Sequence, residues 1–206
     1  MRRPSPIDTA ILFPLRIPRL FRILVINGVP IFAHWSAIVV AAFYLLVNLD
    51  QLARTIAGIA AYGIVLVVHE LGHQFMASRL GYRVVSIEIY PIHGLCRFDH
   101  PETRLDAAKI SWGGVLGQFL LAAPAIVRLV LYSYSPFGPL NTFLAICGPA
   151  NVAIALFNLL PFPSLDGATA WSLFPQLWNA HRSRRRKPEK TALEIFEDMT
   201  RRRKRP

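Results

Sequence analysis

The chain has 206 residues, 53% of them hydrophobic, and a formal net charge of +11 at neutral pH. It is more apolar than soluble domains of this length usually are, which favours a small membrane domain. Its positive charge is concentrated at the two ends: residues 1–22 contain five Arg and one Asp, and residues 182–206 contain eleven Lys or Arg and four acids. Basic ends that flank apolar segments favour contact with anionic lipid headgroups and argue against nucleic-acid binding.

The predicted elements define three parts, a basic N-terminal arm (1–30), a membrane domain (31–180) and a basic cytoplasmic tail (181–206). Four apolar segments approach the roughly 20 residues that a helix needs to cross a bilayer, and a shorter apolar piece follows them. The four segments are 32–49, 55–78, 107–131 and 140–160, and the shorter piece is 168–178. We therefore predict an all-α polytopic membrane protein with about four transmembrane helices.

Between the second and third segments, residues 83–98 alternate apolar and polar side chains around Pro91, which predicts a short β-hairpin. In the third segment, Gly113, Gly114 and Gly117 predict close packing against another helix. At the end of the fourth segment, Pro161 and Pro163 are expected to break its helix. Broken backbone at membrane depth is tolerated where it lines a protein cavity, so this break points to a site.

The distribution of basic residues predicts the orientation. With the N-terminus inside, 21 Lys and Arg face the cytoplasm, five in the arm, five in residues 79–109 and eleven in the tail, against Arg54 and Arg128 outside. We therefore expect a multi-pass protein with both termini cytoplasmic, in the plasma membrane of a prokaryote.

The pentapeptide HELGH at residues 69–73 lies in the second apolar segment, which has no other charged side chain. A charge near the middle of such a segment costs roughly 2.5–3.5 kcal/mol, which favours a functional role. Histidines four apart project from one face of a helix, so His69 and His73 can bind one Zn²⁺ ion while Glu70 acts as the general base. Such an ion needs a third protein ligand.

Asp166 is the candidate for the third ligand because it is the only acidic residue between Asp106 and Glu189. It follows the two prolines of the fourth segment. The alternative is that Asp166 only caps a short helix that begins at Gly167.

Together, these motifs resemble the site-2 protease family of intramembrane zinc metalloproteases. The resemblance rests on HELGH in one span, on the Asn-x-x-Pro-x-Pro-x-Leu-Asp-Gly run at 158–167, and on similar segments at 27–36 and 148–151. It covers roughly residues 20–178 and implies that 31–180 is an intramembrane metalloprotease domain that cleaves transmembrane proteins in regulated proteolysis. It further implies His69, His73 and Asp166 as zinc ligands, Glu70 as catalytic base, and Asn158 as a contact for the substrate or the developing oxyanion. Ala168 stands where the family commonly has a second glycine.

Two other functions remain open. A non-proteolytic zinc scaffold or transporter would bind the metal without needing the adjacent Glu70. A different class of membrane metalloprotease would use a glutamate as its third ligand, but no Glu lies between Glu102 and Glu189. The expected partners are a transmembrane substrate, membrane lipids and a regulatory membrane partner that the sequence does not identify. We expect His34 at the membrane interface and His93 in the hairpin to have structural roles.

Overall fold

The computed structural model describes residues 20–185, so most of the predicted arm and the tail beyond residue 185 lie outside the described residues. Within this range there are four strands and seven α-helices. The strands are β1 (Leu20–Ile26), β2 (Val29–His34), β3 (Val84–Ile89) and β4 (Gly94–Phe98). The helices are α1 (Trp35–Val47), α2 (Leu52–Arg79), α3 (Arg104–Tyr132), α4 (Gly138–Ala145), α5 (Asn151–Asn158), α6 (Gly167–Ala170) and α7 (Leu173–Arg185).

The strands form one sheet in the order β1-β2-β3-β4. The predicted hairpin is confirmed as the antiparallel pair β3 and β4, and β3 also pairs in parallel with β2. A second hairpin, β1 and β2, turns at Asn27 and Gly28, whose φ angles of 51° and 79° suit a two-residue hairpin turn. The described part of the chain is mostly helical, as predicted, but it has a four-stranded sheet where a single hairpin was predicted. The predicted domain boundary at residue 30 falls inside β2.

The sheet packs against α2 through an apolar core. Ile31 and Ile87 are fully buried, and Cys96 and Leu66 complete the contact between the sheet and the helix. Burial of these side chains holds the sheet beside the half of α2 that contains HELGH. At roughly 1.5–3 kcal/mol for each large side chain, this core is the main physical reason for the position of the sheet.

Helices α2 and α3 pack closely, as the glycines predict. A methyl group added at Gly72 or Gly113 would overlap the backbone of the opposite helix, so both positions need glycine for this approach. Three helical stretches in the described part of the chain are long and apolar enough to cross a membrane, namely Leu49–Arg79, Arg104–Tyr132 and Gly138–Asn158. The length and composition of these segments indicate a membrane protein.

The predicted first span differs from the structure. Residues 32–34 belong to β2, and the apolar helix that follows, α1, has only 13 residues. At 1.5 Å per residue it is about 20 Å long, shorter than a hydrocarbon core of about 30 Å. The count of four transmembrane helices is therefore not confirmed.

The last membrane-length stretch comprises α4, a π-helical turn at Ile146–Ala150, and α5. Pro149 lies within the π-helical turn. Prolines and π-helical turns are both recognised causes of a kink in a helix. The buried Asn151 donates from its side-chain nitrogen to the carbonyls of Cys147 and Gln118, at 3.1 and 2.8 Å. The stretch ends at Asn158, so Pro161 and Pro163 lie beyond the helix, and the predicted break within the fourth span is not confirmed.

Candidate metal centre

Helix α2 presents the two histidines of HELGH on one face, as their spacing predicts. Both side chains are buried, and their Nε2 atoms lie 3.1 Å apart. His69 precedes the end of the helix at Arg79 by ten residues, so the pair lies about 15 Å inside that end. The site is therefore within the membrane-length part of α2 and near one of its ends.

Asp166 meets these histidines from the segment between α5 and α6. Its Oδ2 lies 3.2 Å from Nε2 of His69 and 3.4 Å from Nε2 of His73. Although Asp166 occupies the N-cap position of α6, its side chain makes no capping hydrogen bond. The carboxylate is thus directed at the histidines and not at the helix that it precedes.

Two tryptophans attach the segment that contains Asp166 to its neighbours. Trp112 of α3 donates from Nε1 to the carbonyl of Ala170 at 3.0 Å, and Trp171 donates to the carbonyl of Leu159 at 2.6 Å. The two rings meet edge to face with centroids 5.9 Å apart, and Phe174 stacks on Trp171. Because these bonds lie on both sides of Asp166, they restrict where its carboxylate can move.

The second ring nitrogen of each histidine, Nδ1, also has a hydrogen-bond partner. Nδ1 of His73 donates to the carbonyl of Ile110 at 2.8 Å, and Nδ1 of His69 donates to Oε1 of Gln118 at 3.0 Å. These partners favour the neutral tautomer with its proton on Nδ1, which leaves both Nε2 lone pairs directed at Asp166. Ligating histidines in metal sites show this arrangement, because the outer bond fixes both the tautomer and the orientation of the ring.

This donor set fits a zinc ion. Two Nε2 lone pairs and a carboxylate oxygen lie within 4.8 Å of one another, and the buried Oδ2 of Asp166 accepts no hydrogen bond from the described residues. When both rings are neutral, these three atoms are all acceptors, and burying them together is unfavourable unless a cation lies between them. Two imidazoles and one carboxylate are ligands that catalytic zinc accepts, with a fourth position left open.

Within the described residues, these three side chains are the one group of His, Cys, Asp and Glu with such a geometry. No glutamate belongs to it, which disfavours the metalloprotease class with a glutamate as third ligand. The Cys96 thiol does not belong to this group, and burial raises its pKa to about 12, so it is not a ready nucleophile.

Glu70 lies next to the metal group and is only 4% exposed. The first residue of β4, Gly94, passes so close that an added methyl group would overlap the Glu70 carboxylate. The same holds for Gly114 of α3, where a methyl group would overlap the rings of His73 and His69. Gly114 therefore makes room for the histidines, a role beyond the helix packing that the sequence predicts.

A cavity of about 960 Å³ opens above these groups. It is lined by the metal group and Glu70, by β4 along its whole length, and by Asn158. Strand β4 is at the end of the sheet, so one of its edges has no strand partner among the described residues. Glu88 of β3 accepts hydrogen bonds from Arg97 of β4 and from Tyr90, and these bonds stabilise the hairpin.

The remaining predicted residues lie near the cavity or away from it. His93 lines the cavity and packs edge to face on Tyr90, which also stacks on His34. His34 accepts a hydrogen bond from the backbone N–H of Ser36 and thereby caps α1. Neither histidine belongs to the metal group.

Gln118 is a functional candidate that the motifs do not predict. Its side chain is 1% exposed and makes the hydrogen bond that orients His69. Replacing Gln118 with Leu is expected to lower zinc affinity about 10- to 100-fold, the usual effect of losing an outer-shell partner. Competition between the purified protein and a chromophoric chelator would measure the change.

Gln118→Glu retains an oxygen acceptor and should restore most of the affinity. Gln74→Leu is a matched control, since Gln74 is a buried glutamine of α2 whose side chain bonds the carbonyl of Ile26 and not a ring. Unchanged affinity in Gln118→Leu, or an equal loss in Gln74→Leu, would remove Gln118 from the metal centre.

Comparison with known proteins gives a consistent result. Residues 57–136 match the family model described as Peptidase family M50, a range that includes HELGH and Gln118 but ends before Asp166. A zinc metalloprotease of Methanocaldococcus jannaschii is 27% identical over 156 residues, which are 72% of this chain and 42% of that protein. A protein of Synechocystis sp. whose name also describes a zinc metalloprotease is 29% identical over 110 residues, which are 50% of this chain and 27% of that protein. The chain thus spans less than half the length of either relative.

A solved structure has the same fold. The site-2 protease from Methanocaldococcus jannaschii superposes with a TM-score of 0.60 at 23% sequence identity, covering 74% of this chain and 69% of that one.

Proposed function

We propose that the chain is a member of the site-2 protease family, a zinc endopeptidase that hydrolyses peptide bonds within or near transmembrane segments of membrane proteins. The match of residues 57–136 to Peptidase family M50 and the similarity to two zinc metalloproteases support this proposal. The observation that supports this most is Glu70, a buried carboxylate beside three converging metal-binding atoms and below an open cavity. A site that only binds metal has no need of an adjacent base.

His69, His73 and Asp166 would hold the zinc ion. When bound, zinc lowers the pKa of water to about 7 and polarises a carbonyl group. Glu70 accepts the proton of the attacking water and later delivers it to the leaving amine. Asn158 lines the same cavity, and its amide would donate a hydrogen bond to the substrate or to the developing oxyanion.

A transmembrane substrate must unwind before it is cleaved, because the carbonyls of a helix are hydrogen-bonded and shielded. The free edge of β4 lies along the cavity beside Glu70 and supports binding of an extended segment by strand pairing. Backbone hydrogen bonds along this edge would hold the scissile bond over the metal group. The proposed reaction is therefore hydrolysis of an extended segment at membrane depth, as in regulated intramembrane proteolysis.

The proposed setting is the plasma membrane of a prokaryote, with both termini cytoplasmic and the site about 15 Å inside the cytoplasmic end of α2. The basic ends would bind anionic lipid headgroups. A regulatory membrane partner would supply the trigger.

Removal of the metal tests this function. We expect a strong chelator to abolish cleavage of a reconstituted transmembrane substrate, and one equivalent of Zn²⁺ to restore it, because the water and the carbonyl both depend on the ion. Gel analysis of substrate fragments in proteoliposomes would measure the effect. Stoichiometric zinc with no cleavage of several transmembrane substrates would support a scaffold or transporter and contradict the proposal.

A further inference from the structure

A second cavity, here called the lateral groove, lies along α2 on the side of α1. It has a volume of about 660 Å³ and extends from Gln51 to Leu66, which is about 22 Å along the helix. Its walls are α1 on one side and the stretch from α4 to α5 on the other, and its lining is mainly apolar. A groove of this length within the membrane-length part of α2 can accept an apolar chain.

The wall formed by α1 is weakly attached. None of the 13 residues of α1 is buried, whereas α2 and α3 each bury several. Helix α1 therefore has little packing that would oppose its displacement, and elements with few buried contacts are those that move most readily. An apolar segment can accordingly enter between α1 and α4.

The lateral groove adjoins the catalytic cavity through a partition of three side chains. Tyr62, Leu66 and Ile154 line both spaces. Tyr62 also donates a hydrogen bond from its hydroxyl to the carbonyl of Ile92, at 3.3 Å, and so connects α2 to the turn between β3 and β4.

The hairpin β3–β4 also lies at both spaces. Ile89, Tyr90 and Pro91 line the lateral groove, and the next residue, Ile92, together with β4 lines the catalytic cavity. A chain that leaves the groove past Tyr62 therefore arrives at the free edge of β4, and then at Glu70. The order along this route is groove, partition, strand edge and base.

We propose that Tyr62 is a specificity-determining residue that controls passage of a transmembrane substrate from the lateral groove to the metal centre. This rests on the proposed protease function. The occupant of the groove is the membrane segment of the substrate, since the groove is mainly apolar, lies along the membrane-length helix α2 and adjoins the catalytic cavity at the partition. A soluble peptide enters through the open mouth of the catalytic cavity and does not pass Tyr62.

Two substitutions test the route in opposite directions. Tyr62→Phe removes the hydroxyl bond and should raise kcat/KM for a transmembrane substrate about two- to tenfold, the equivalent of one net hydrogen bond. Gly63→Leu should lower it at least as much, because a Cβ at Gly63 meets open space and its side chain would fill the lateral groove without a clash. Gly63→Leu should not alter hydrolysis of a short soluble peptide, and Tyr62→Phe, which also lines the catalytic cavity, should change it less than it changes cleavage of the transmembrane substrate.

Tyr44→Phe is the matched control, since Tyr44 lines the lateral groove but not the catalytic cavity. Zinc content reports whether each variant is folded. Equal changes for soluble and transmembrane substrates, or no change for either, would overturn the role of Tyr62 while leaving the protease function intact. If the wild-type protein cleaves neither substrate, the protease function itself is contradicted and this inference falls with it.

Discussion

Glu70→Gln is expected to lower the rate of peptide-bond cleavage about 10²- to 10⁴-fold, the usual contribution of a general acid or base. The amide has nearly the same shape as the carboxylate but cannot accept the proton of the attacking water. Glu70 is not part of the group that would hold zinc, so the variant should bind the metal as the wild-type protein does. Initial rates with a reconstituted transmembrane substrate, together with zinc content by elemental analysis, would measure both effects.

Glu102→Gln makes the same chemical change at an exposed position that does not line the catalytic cavity. It should retain full activity. Wild-type rates in Glu70→Gln would exclude Glu70 as the base, and simultaneous loss of zinc would instead indicate that this substitution disturbs the metal centre.

Asp166→Ala should lower zinc affinity by more than about 100-fold, since the loss of an outer-shell partner alone costs 10- to 100-fold. It should also abolish cleavage at zinc concentrations that saturate the wild-type protein. The physical reason is that the two imidazoles would be left without the carboxylate that lies 3.2 and 3.4 Å from them. Chelator competition would measure affinity, and thermal unfolding with and without added Zn²⁺ would show whether the metal still stabilises the fold.

Asp99→Ala is the control for this variant, because Asp99 is exposed and outside the metal group. Asp166→Asn provides a second comparison that retains the size of the side chain but removes its charge. Unchanged zinc affinity in Asp166→Ala would contradict the three-residue metal centre. Asp166 would then be only the residue at the N-terminus of α6.

The sequence is most informative where a residue type is costly in its surroundings. HELGH and the 158–167 run place ionisable side chains in or next to apolar segments, and they point to His69, His73 and Asp166 as metal ligands. The structure brings these three side chains together. The roles of the individual residues stay predictions until zinc binding and cleavage are measured. Resemblance to a family contributes Asn158, whose position on the cavity wall agrees with that role but does not establish it.

Two features that the sequence analysis did not include could have been predicted from the sequence. Asn27-Gly28 between apolar residues is a strong hairpin signal, and it marks the turn between β1 and β2. Gln118 is the only polar side chain between Trp112 and Arg128, and an isolated polar residue in an apolar span usually has a buried partner. Here that partner is the ring of His69.

Other features depend on tertiary contacts. The length of α1 follows from the pairing of residues up to His34 with β1, which shortens the helix that the apolar run at 32–49 suggests. The outer bond of His73 goes to a backbone carbonyl, that of Ile110, and every residue has such a group. No residue type marks it in the sequence.

The most direct test is to map where membrane proteins are cut in living cells. Membrane fractions from cells that express the wild-type chain and from cells that express Glu70→Gln would be compared by mass spectrometry for new peptide termini. We predict fragments whose new ends lie within or next to apolar segments of about 20 residues, present with the wild-type chain and absent with the variant. Identical fragments in both samples, or new ends confined to soluble loops and domains, would contradict intramembrane proteolysis by this protein.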